Sequence, residues 1–270
     1  MPFSRQTPIR LYFEERGEGA PVLFISGTGA DLRVKPNTLD SPITQRLKVL
    51  AYDQRGLGQS EIPQGPYSMA QYADDALALL EEQGWSKVHV IGVSFGGMVA
   101  LNLAIRHPEV IDRLVLCCTS PGGAAPSYPL HSLAKNMSDE ERLRFMLPVN
   151  DTRRDQAWQT ANPDKVQKII DYSLSAREGI PNDAQTQRGA ALQLAARADH
   201  DVLAQLGQIS HPTLICGGLY DGMATPDNQT IMADAIPHAE LAWFEGGHLF
   251  MIQDKTAWPS IIEFLTRPNA

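Results

Sequence analysis

Gly92-Val93-Ser94-Phe95-Gly96 sets a serine between two glycines, each two residues away. The apolar run Val88-His89-Val90-Ile91 precedes it, and the helical run Gly97 to Ala104 follows. Strand, sharp turn, helix is the predicted order, with Ser94 at the apex. Such an apex strains the backbone by about 1–3 kcal/mol. A Cβ two positions before or after would meet the turning chain, which accounts for Gly92 and Gly96. The Ser94 hydroxyl is then expected above a sheet, at a helix N-terminus where backbone N–H groups and the helix dipole converge.

A serine hydroxyl is a poor nucleophile until a base takes its proton and a carboxylate orients that base. Of seven histidines, His248 is the best placed. It follows the turn Glu245-Gly246-Gly247, directly after a strand expected to end at Phe244. His89 lies within a strand, His107 and His211 each precede a proline, His131 and His200 fall in a helical middle region, and His238 precedes the last strand. The orienting acid should stand at another strand's carboxyl end. The strand ending at Cys216 runs into Gly217-Gly218-Leu219-Tyr220-Asp221, so Asp221 is the first acid after it. Asp227 is the fallback, as a helix N-cap or surface charge is its simpler reading. The strand ending at Cys118 leads to Thr119 and Ser120, with no acid nearby. The order along the chain is Ser94, Asp221, His248.

The elements that must position these groups alternate. Strands are expected at Ile9–Glu15, Val22–Ser26, Lys48–Tyr52, Val88–Ile91, Arg113–Cys118, Pro212–Cys216 and Glu240–Phe244. Helices are expected at Met69–Gln83, after Ser94, at Asn228–Ala235 and at Thr256–Leu265. This alternation predicts an α/β fold: a mainly parallel sheet with helices on both faces. Between about Tyr128 and Leu206 the pattern is helical, with segments at Asp139–Leu147, Asp164–Arg177 and Asp183–Ala198. Residues 1–120 and 208–270 are therefore expected to form the core domain, and 121–207 a helical cap over the carboxyl ends of the strands, where open α/β sheets place ligands.

The 270 residues suffice for one large domain with an insertion. A net charge of −8 without a Lys/Arg cluster argues against a nucleic-acid partner. No apolar stretch approaches membrane-spanning length. The N-terminus lacks a charged segment leading into a long apolar core, so no signal peptide and a cytoplasmic location are expected. Cys117, Cys118 and Cys216 are expected as buried free thiols.

Together, Gly92-Val93-Ser94-Phe95-Gly96-Gly97, the run Asp53-Gln54-Arg55-Gly56-Leu57-Gly58-Gln59-Ser60, Asp221 and Gly246-Gly247-His248 make the chain resemble an α/β-hydrolase-fold serine hydrolase. The nearest likeness is to the 3-oxoadipate enol-lactonase-like and small carboxylesterase group. The resemblance implies a sheet of about eight strands with the cap after the sixth. It also implies an oxyanion hole from the backbone N–H groups of Phe95 and Thr28. The family's usual His-Gly-x reads Ser26-Gly27-Thr28 here, and the Asp53–Ser60 run corresponds to a structural turn.

The expected activity is hydrolysis of a small carboxylic ester or lactone through an acyl-enzyme. Alternatives on the same machinery are carbon–carbon bond hydrolysis, cofactor-free perhydrolysis and slow-turnover reception of a small molecule. A serine at the apex disfavours dehalogenase and epoxide-hydrolase chemistry, which places aspartate there. Leu249 follows His248 where carbon–carbon hydrolases often carry tryptophan. Tyr128, Phe145, Met146, Trp158 and Leu249 are candidates for the substrate pocket, the first four equally readable as the cap's own core. Arg188 could meet a substrate carboxylate or face solvent. Neither metal-ligand spacing nor a phosphate-cradling loop is present, so no cofactor is expected. The expected assembly is a monomer or homodimer.

Overall fold

The computed structural model describes residues 2–133 and 137–268. Strands β1 (Phe13–Arg16), β2 (Pro21–Ile25) and β3 (Lys48–Tyr52) lead to helix α1 (Met69–Glu82); then come β4 (Val88–Val93), α2 (Phe95–Arg106) and β5 (Ile111–Cys117). Four helices follow: α3 (Asp139–Asn150), α4 (Gln156–Ala161), α5 (Pro163–Ser175) and α6 (Ala184–Ala198). The chain then returns through β6 (Thr213–Gly218), α7 (Pro226–Ala235), β7 (Ala239–Phe244), α8 (Phe250–Gln253) and α9 (Ala257–Thr266).

The seven strands form one sheet in the order β1-β3-β2-β4-β5-β6-β7. Only β1 runs antiparallel to its neighbour. Among the described residues the sheet therefore has seven strands rather than about eight, and the helical block follows the fifth strand rather than the sixth. The difference lies at the N-terminus. Among the described residues, the stretch before β1 pairs in strand fashion only at the isolated bridge Phe3–Tyr12. The Arg5 and Gln6 amides donate instead to the Glu82 carboxylate, at 2.8–2.9 Å, so no ladder propagates.

Alternation along the strands fills both faces. Leu23, Ile25, Leu50, Val90, Leu114 and Ile215 pack against α1, α2 and α7. Val22, Phe24, Val49, Ile91, Val115 and Leu214 pack against Ile261, Phe264 and Leu265 of α9. Two buried faces explain why the central strands read as near-continuous apolar runs. The helices start where local chemistry directs. Ser68 and Ser138 each close a capping box, with Gln71 and Glu141. Asp155 and Asp183 cap α4 and α6, and Pro163 opens α5. These caps satisfy amide groups that the first turn leaves unpaired.

Within the helical block, Leu147, Val166 and Ile170 form a small core with Leu143, Trp158 and Ile169 around it. Helix α6 leans back on the sheet domain. A Cβ on its Gly189 would strike the Gly56 carbonyl, and its Leu192 lies against Gly65. The chain enters and leaves the block side by side: Val202 N–H donates to Pro121 O at 2.9 Å, and Gly122 pairs with Asp201.

Two buried polar arrangements tie this frame. The Arg55 guanidinium holds the Asp75 carboxylate through Nε and Nη2 at 2.6 and 2.7 Å. His200 sits against Ser120 O through Nε2 at 3.1 Å, with Asn102 Nδ2 3.4 Å from its Nδ1. The ring is thus neutral, donating from Nε2, and burial pulls its pKa down to about 4.

Removing one partner of a buried ion pair strands the other charge. Asp75→Ala should therefore lower the unfolding free energy by about 3–5 kcal/mol, read from urea denaturation. For His200, the unfolded chain binds the proton first as pH falls. The stability present above pH 6.5 is lost as pH drops toward 4, with about 2 kcal/mol gone between pH 7 and 5. His200→Gln should flatten the pH dependence of unfolding by that amount; an unchanged slope would contradict the assignment.

Candidate active site

Ser94 sits between β4 and α2 at φ 54°, ψ −117°, in left-handed space that a residue bearing a Cβ enters only under constraint. The constraints are explicit. Ser94 N–H donates to Cys117 O at 2.8 Å. Its carbonyl accepts the Thr119 hydroxyl at 2.7 Å and the Gly97 amide at 2.9 Å. The flanking glycines are sterically required: a Cβ on Gly92 would lie 2.5 Å from Gly96 O and 2.7 Å from Gly97 Cα, and one on Gly96 would fall onto the Ile25 carbonyl.

His248 comes from the turn between β7 and α8. Its Nε2 lies 3.0 Å from Ser94 Oγ, and its Nδ1 lies 2.8 Å from Asp221 Oδ2. Asp221, after β6, is buried. Its other oxygen accepts the amides of Met223 and Ala224 at 2.8 and 3.0 Å, which aims Oδ2 at the imidazole. With a carboxylate at Nδ1, the neutral ring carries its proton there, and Nε2 is left to accept from the serine hydroxyl. His248 is also held from the helical block: its own N–H donates to Asn150 O, at the end of α3, at 2.6 Å.

The loop after β2 lies against the nucleophile. A Cβ on Gly27 would be 3.5 Å from Ser94 Cβ. Hydrogen bonds fix the loop at residues around Thr28. Gln54 Nε2 donates to Ser26 O at 2.8 Å, Gly29 N–H donates to Gln193 Oε1 at 2.9 Å, and Ala30 N–H reaches Gly27 O at 3.3 Å. Phe95 opens α2, so its amide belongs to the first turn, which the helix itself leaves unpaired.

The Asp53–Ser60 turn braces this loop. Asp53 accepts Leu32 N–H at 2.7 Å and Gln59 N–H at 2.9 Å. Burial lifts its pKa to about 6 against those hydrogen bonds.

The five pocket candidates separate. Trp158 packs beside the helical block's own core, and Met146 is buried. Phe145 lines a cavity of about 640 Å³ with Pro148, Val149 and Gln156. Leu249 is 49% exposed beside His248. Tyr128 N–H donates to Met223 O at 2.7 Å, joining the start of the block to the Asp221 loop. Arg188 donates to the carbonyls of Ile62 and Pro63 at 2.9 and 3.1 Å, bracing the block against the sheet domain.

Gln193, Thr119 and Asn150 reach the site without having been singled out from the sequence for a role there, and Gln54 figures there only as part of the Asp53–Ser60 run. For Gln193 a signal existed: Gly189, Gln193, Ala196 and Arg197 share the buried face of α6, an i, i+4 recurrence of polar residues where apolar ones are the rule.

Among the described residues, donor atoms of Cys118, Asp221 and His248 lie within 4.8 Å of one another. They make a poor metal site. Asp221 and His248 already bind each other, and burial pushes the Cys118 thiol well above its usual range, whereas a metal takes the thiolate.

Residues 20–255 match the family described as the alpha/beta hydrolase fold. A putative carbamate hydrolase of Yersinia enterocolitica is 38% identical over 267 residues, spanning 93% of this chain and 90% of its own. The 2-hydroxymuconate semialdehyde hydrolase of Pseudomonas putida is 28% identical, spanning 97% and 92%. The crystal structure of the enol-lactonase from Burkholderia xenovorans LB400 superposes with a TM-score of 0.78 at 26% identity, covering 98% of this chain and all of that one. No described helix is long and apolar enough to cross a membrane. Agreement along nearly the whole chain, in sequence and in fold, places this protein in the α/β-hydrolase-fold family.

Proposed function

We propose that the protein is a serine hydrolase that cleaves a carboxylic ester or lactone of a small molecule through an acyl-enzyme. The observation that carries this reading is the line Asp221–His248–Ser94, joined at 2.8 and 3.0 Å beneath a serine held in left-handed backbone. In this reading His248 Nε2 takes the Ser94 proton as Oγ attacks the carbonyl carbon. The amides of Phe95 and Thr28 receive the developing oxyanion. Collapse breaks the bond to the alkoxy group, which leaves with the proton from His248. Water then gives a proton to His248 and attacks the acyl-enzyme, releasing the acid and returning Ser94 to its hydroxyl form. Asp221 holds the imidazole tautomer and stabilises its cation. No cofactor takes part.

Residues 121–207 act as the lid of this site and 1–120 with 208–270 as its catalytic core. The contacts of α3 with the His248 turn and of α6 with the Thr28 loop support that division. The named activities of the relatives define the competing bonds: carbamate, lactone and carbon–carbon. The absence of an aromatic side chain after His248, where Leu249 stands, favours ester or lactone over carbon–carbon cleavage.

A panel of aryl esters, lactones, carbamates and ring-fission dienones should give steady turnover fastest on the esters or lactones. Ser94→Ala should reduce kcat by about 10⁴-fold or more, and Asp221→Asn by about 10⁴-fold. A fluorophosphonate should label Ser94 in the native protein alone, read by peptide mass. Near-native turnover in Ser94→Ala, or a single stoichiometric burst without turnover, would overturn the enzyme reading.

A further inference from the structure

Asp151, the first residue after α3, is a buried carboxylate that the catalytic line does not use. It is 2% exposed. Its own N–H closes the helix on Leu147 O at 3.0 Å, and the chain leaves in extended conformation. Arg153 forks the carboxylate, Nε to Oδ1 at 2.9 Å and Nη2 to Oδ2 at 2.8 Å, and Arg154 Nε lies 3.8 Å from Oδ2. Burial raises the pKa of Asp151, but the hydrogen bonds and charge of Arg153 outweigh burial and hold it below the usual carboxylate range. It is therefore ionised at neutral pH.

These local contacts are enough to end a helix. The remaining ones reach further, to the two loops that carry the acid and the base. Gln253 Nε2 donates to Asp151 Oδ2 at 3.1 Å, and Oε1 of the same side chain accepts the Gly247 amide at 2.8 Å. Gly247 precedes His248, and a Cβ on it would lie 2.8 Å from Asp151 Cα and Cβ. The Arg153 guanidinium, aimed by Asp151, donates from Nη1 to Glu245 at 2.8 Å and lies 4.2 Å over the ring of Tyr220, the residue before Asp221. On either side of Asp151, Asn150 O accepts the His248 amide at 2.6 Å, and Thr152 N–H donates to Tyr220 O at 2.9 Å. The two loops also meet directly, Tyr220 N–H donating to Gly246 O at 2.9 Å. Residues 150–153 thus form a clasp across both loops, with a buried charge at its centre. Burying an ion pair brings little net stability, because desolvation offsets most of the attraction. What a planar guanidinium on a carboxylate does supply is direction. Here that direction is toward the flanks of the loops that hold the reacting pair.

We propose that Asp151 is a positioning residue for the base: through Gln253 and Arg153 it holds the turn bearing His248 against the loop bearing Asp221, and so sets how the imidazole meets the serine. Asp151 touches no reacting atom in this role. The consequence for turnover rests on the serine-hydrolase reading, while the Asp221–His248 contact itself is observable without turnover.

The test uses the whole chain carrying Asp151→Ala, Asp151→Asn, Gln253→Leu or Arg153→Met. Arg106→Gln, which loses only a surface pair with Asp74 at the end of α2 away from Ser94, is the control. Turnover of the fastest ester is divided by the serines titrated to completion with a fluorophosphonate, so that misfolded molecules are not counted. Per titrated serine, Asp151→Ala and Gln253→Leu should lower kcat by about 10–100-fold with KM little changed, the range for displacing a reacting group by up to about 1 Å. Asp151→Asn, which keeps an acceptor for Gln253, should keep part of the rate, and Arg153→Met should lose less than Asp151→Ala. Asp151→Ala combined with Gln253→Leu should lose no more than the worse single variant, because both cut one path. The proton on His248 Nδ1, read by proton NMR as a far-downfield signal, should shift or broaden in Asp151→Ala and Gln253→Leu and stay as it is in Arg106→Gln. Native kcat per titrated serine in Asp151→Ala or Gln253→Leu, an unmoved proton signal in either, or losses that multiply in the double variant overturn the proposal. Should Asp151→Ala fail to fold, Gln253→Leu, at a half-buried position, decides alone. Full turnover by Ser94→Ala would remove the serine reading only, since the proton signal would still decide the clasp.

Discussion

Everything in this molecule is arranged around a backbone that does not want to be where it is. Ser94 occupies left-handed space at φ 54°, a conformation costing on the order of 1–3 kcal/mol. The sheet over-determines it. Beta-strand register fixes the residues before it, α2 starts immediately after it, and Cys117 and Thr119 pin its amide and carbonyl from the adjacent strand's end. Removing any one of these does not relax the turn freely, because Gly92 and Gly96 are already pressed against neighbouring backbone. The strain stays stored because a packed parallel sheet cannot yield locally.

From that point the other parts inherit their positions. Parallel strands all end on the same side, so the loops after β2, β5, β6 and β7 converge with no further device. Each loop then needs only short-range fixing. Asp53 braces the first through the Leu32 amide, and the amides of Met223 and Ala224 aim the carboxylate of the third. The helical block adds a second set of ties from above, through Gln193, Tyr128 and Asn150. The site is thus clamped between two layers, and the layers contribute different things: the sheet side holds the reacting groups, and the helical side holds the loops on which two of them ride.

What could be read from the sequence follows from how local the signal is. Gly92–Gly96, Asp221 and His248 each declare themselves within a few residues of a strand end, and the structure brings the three side chains into one line. The helical character of 139–198 was equally plain from caps and periodicity. Trp158 is ambiguous because an aromatic residue at helical spacing suits a pocket roof and a helix–helix core alike; in the structure it packs against the cluster of Leu147, Val166 and Ile170. The seven strand runs visible along the chain match the seven of the sheet; the eighth entered only with the family resemblance, and before β1 the Arg5 and Gln6 amides go to Glu82, across 77 and 76 residues. Gln193 and Asn150 act across similarly long separations, through a side chain or a helix-end carbonyl with no local signature. Their roles depend on where α3 and α6 come to rest.

The hydrogen bond from the His248 backbone N–H to the Asn150 carbonyl couples the imidazole to a helix outside the sheet. A shift at the end of α3 is felt at the turn that bears the ring, which must either move with the helix or give up that bond. Where it gives the bond up, the Asp221 contact still holds the ring toward Ser94, so the alignment of the base has one anchor on the sheet side and one on the helical side.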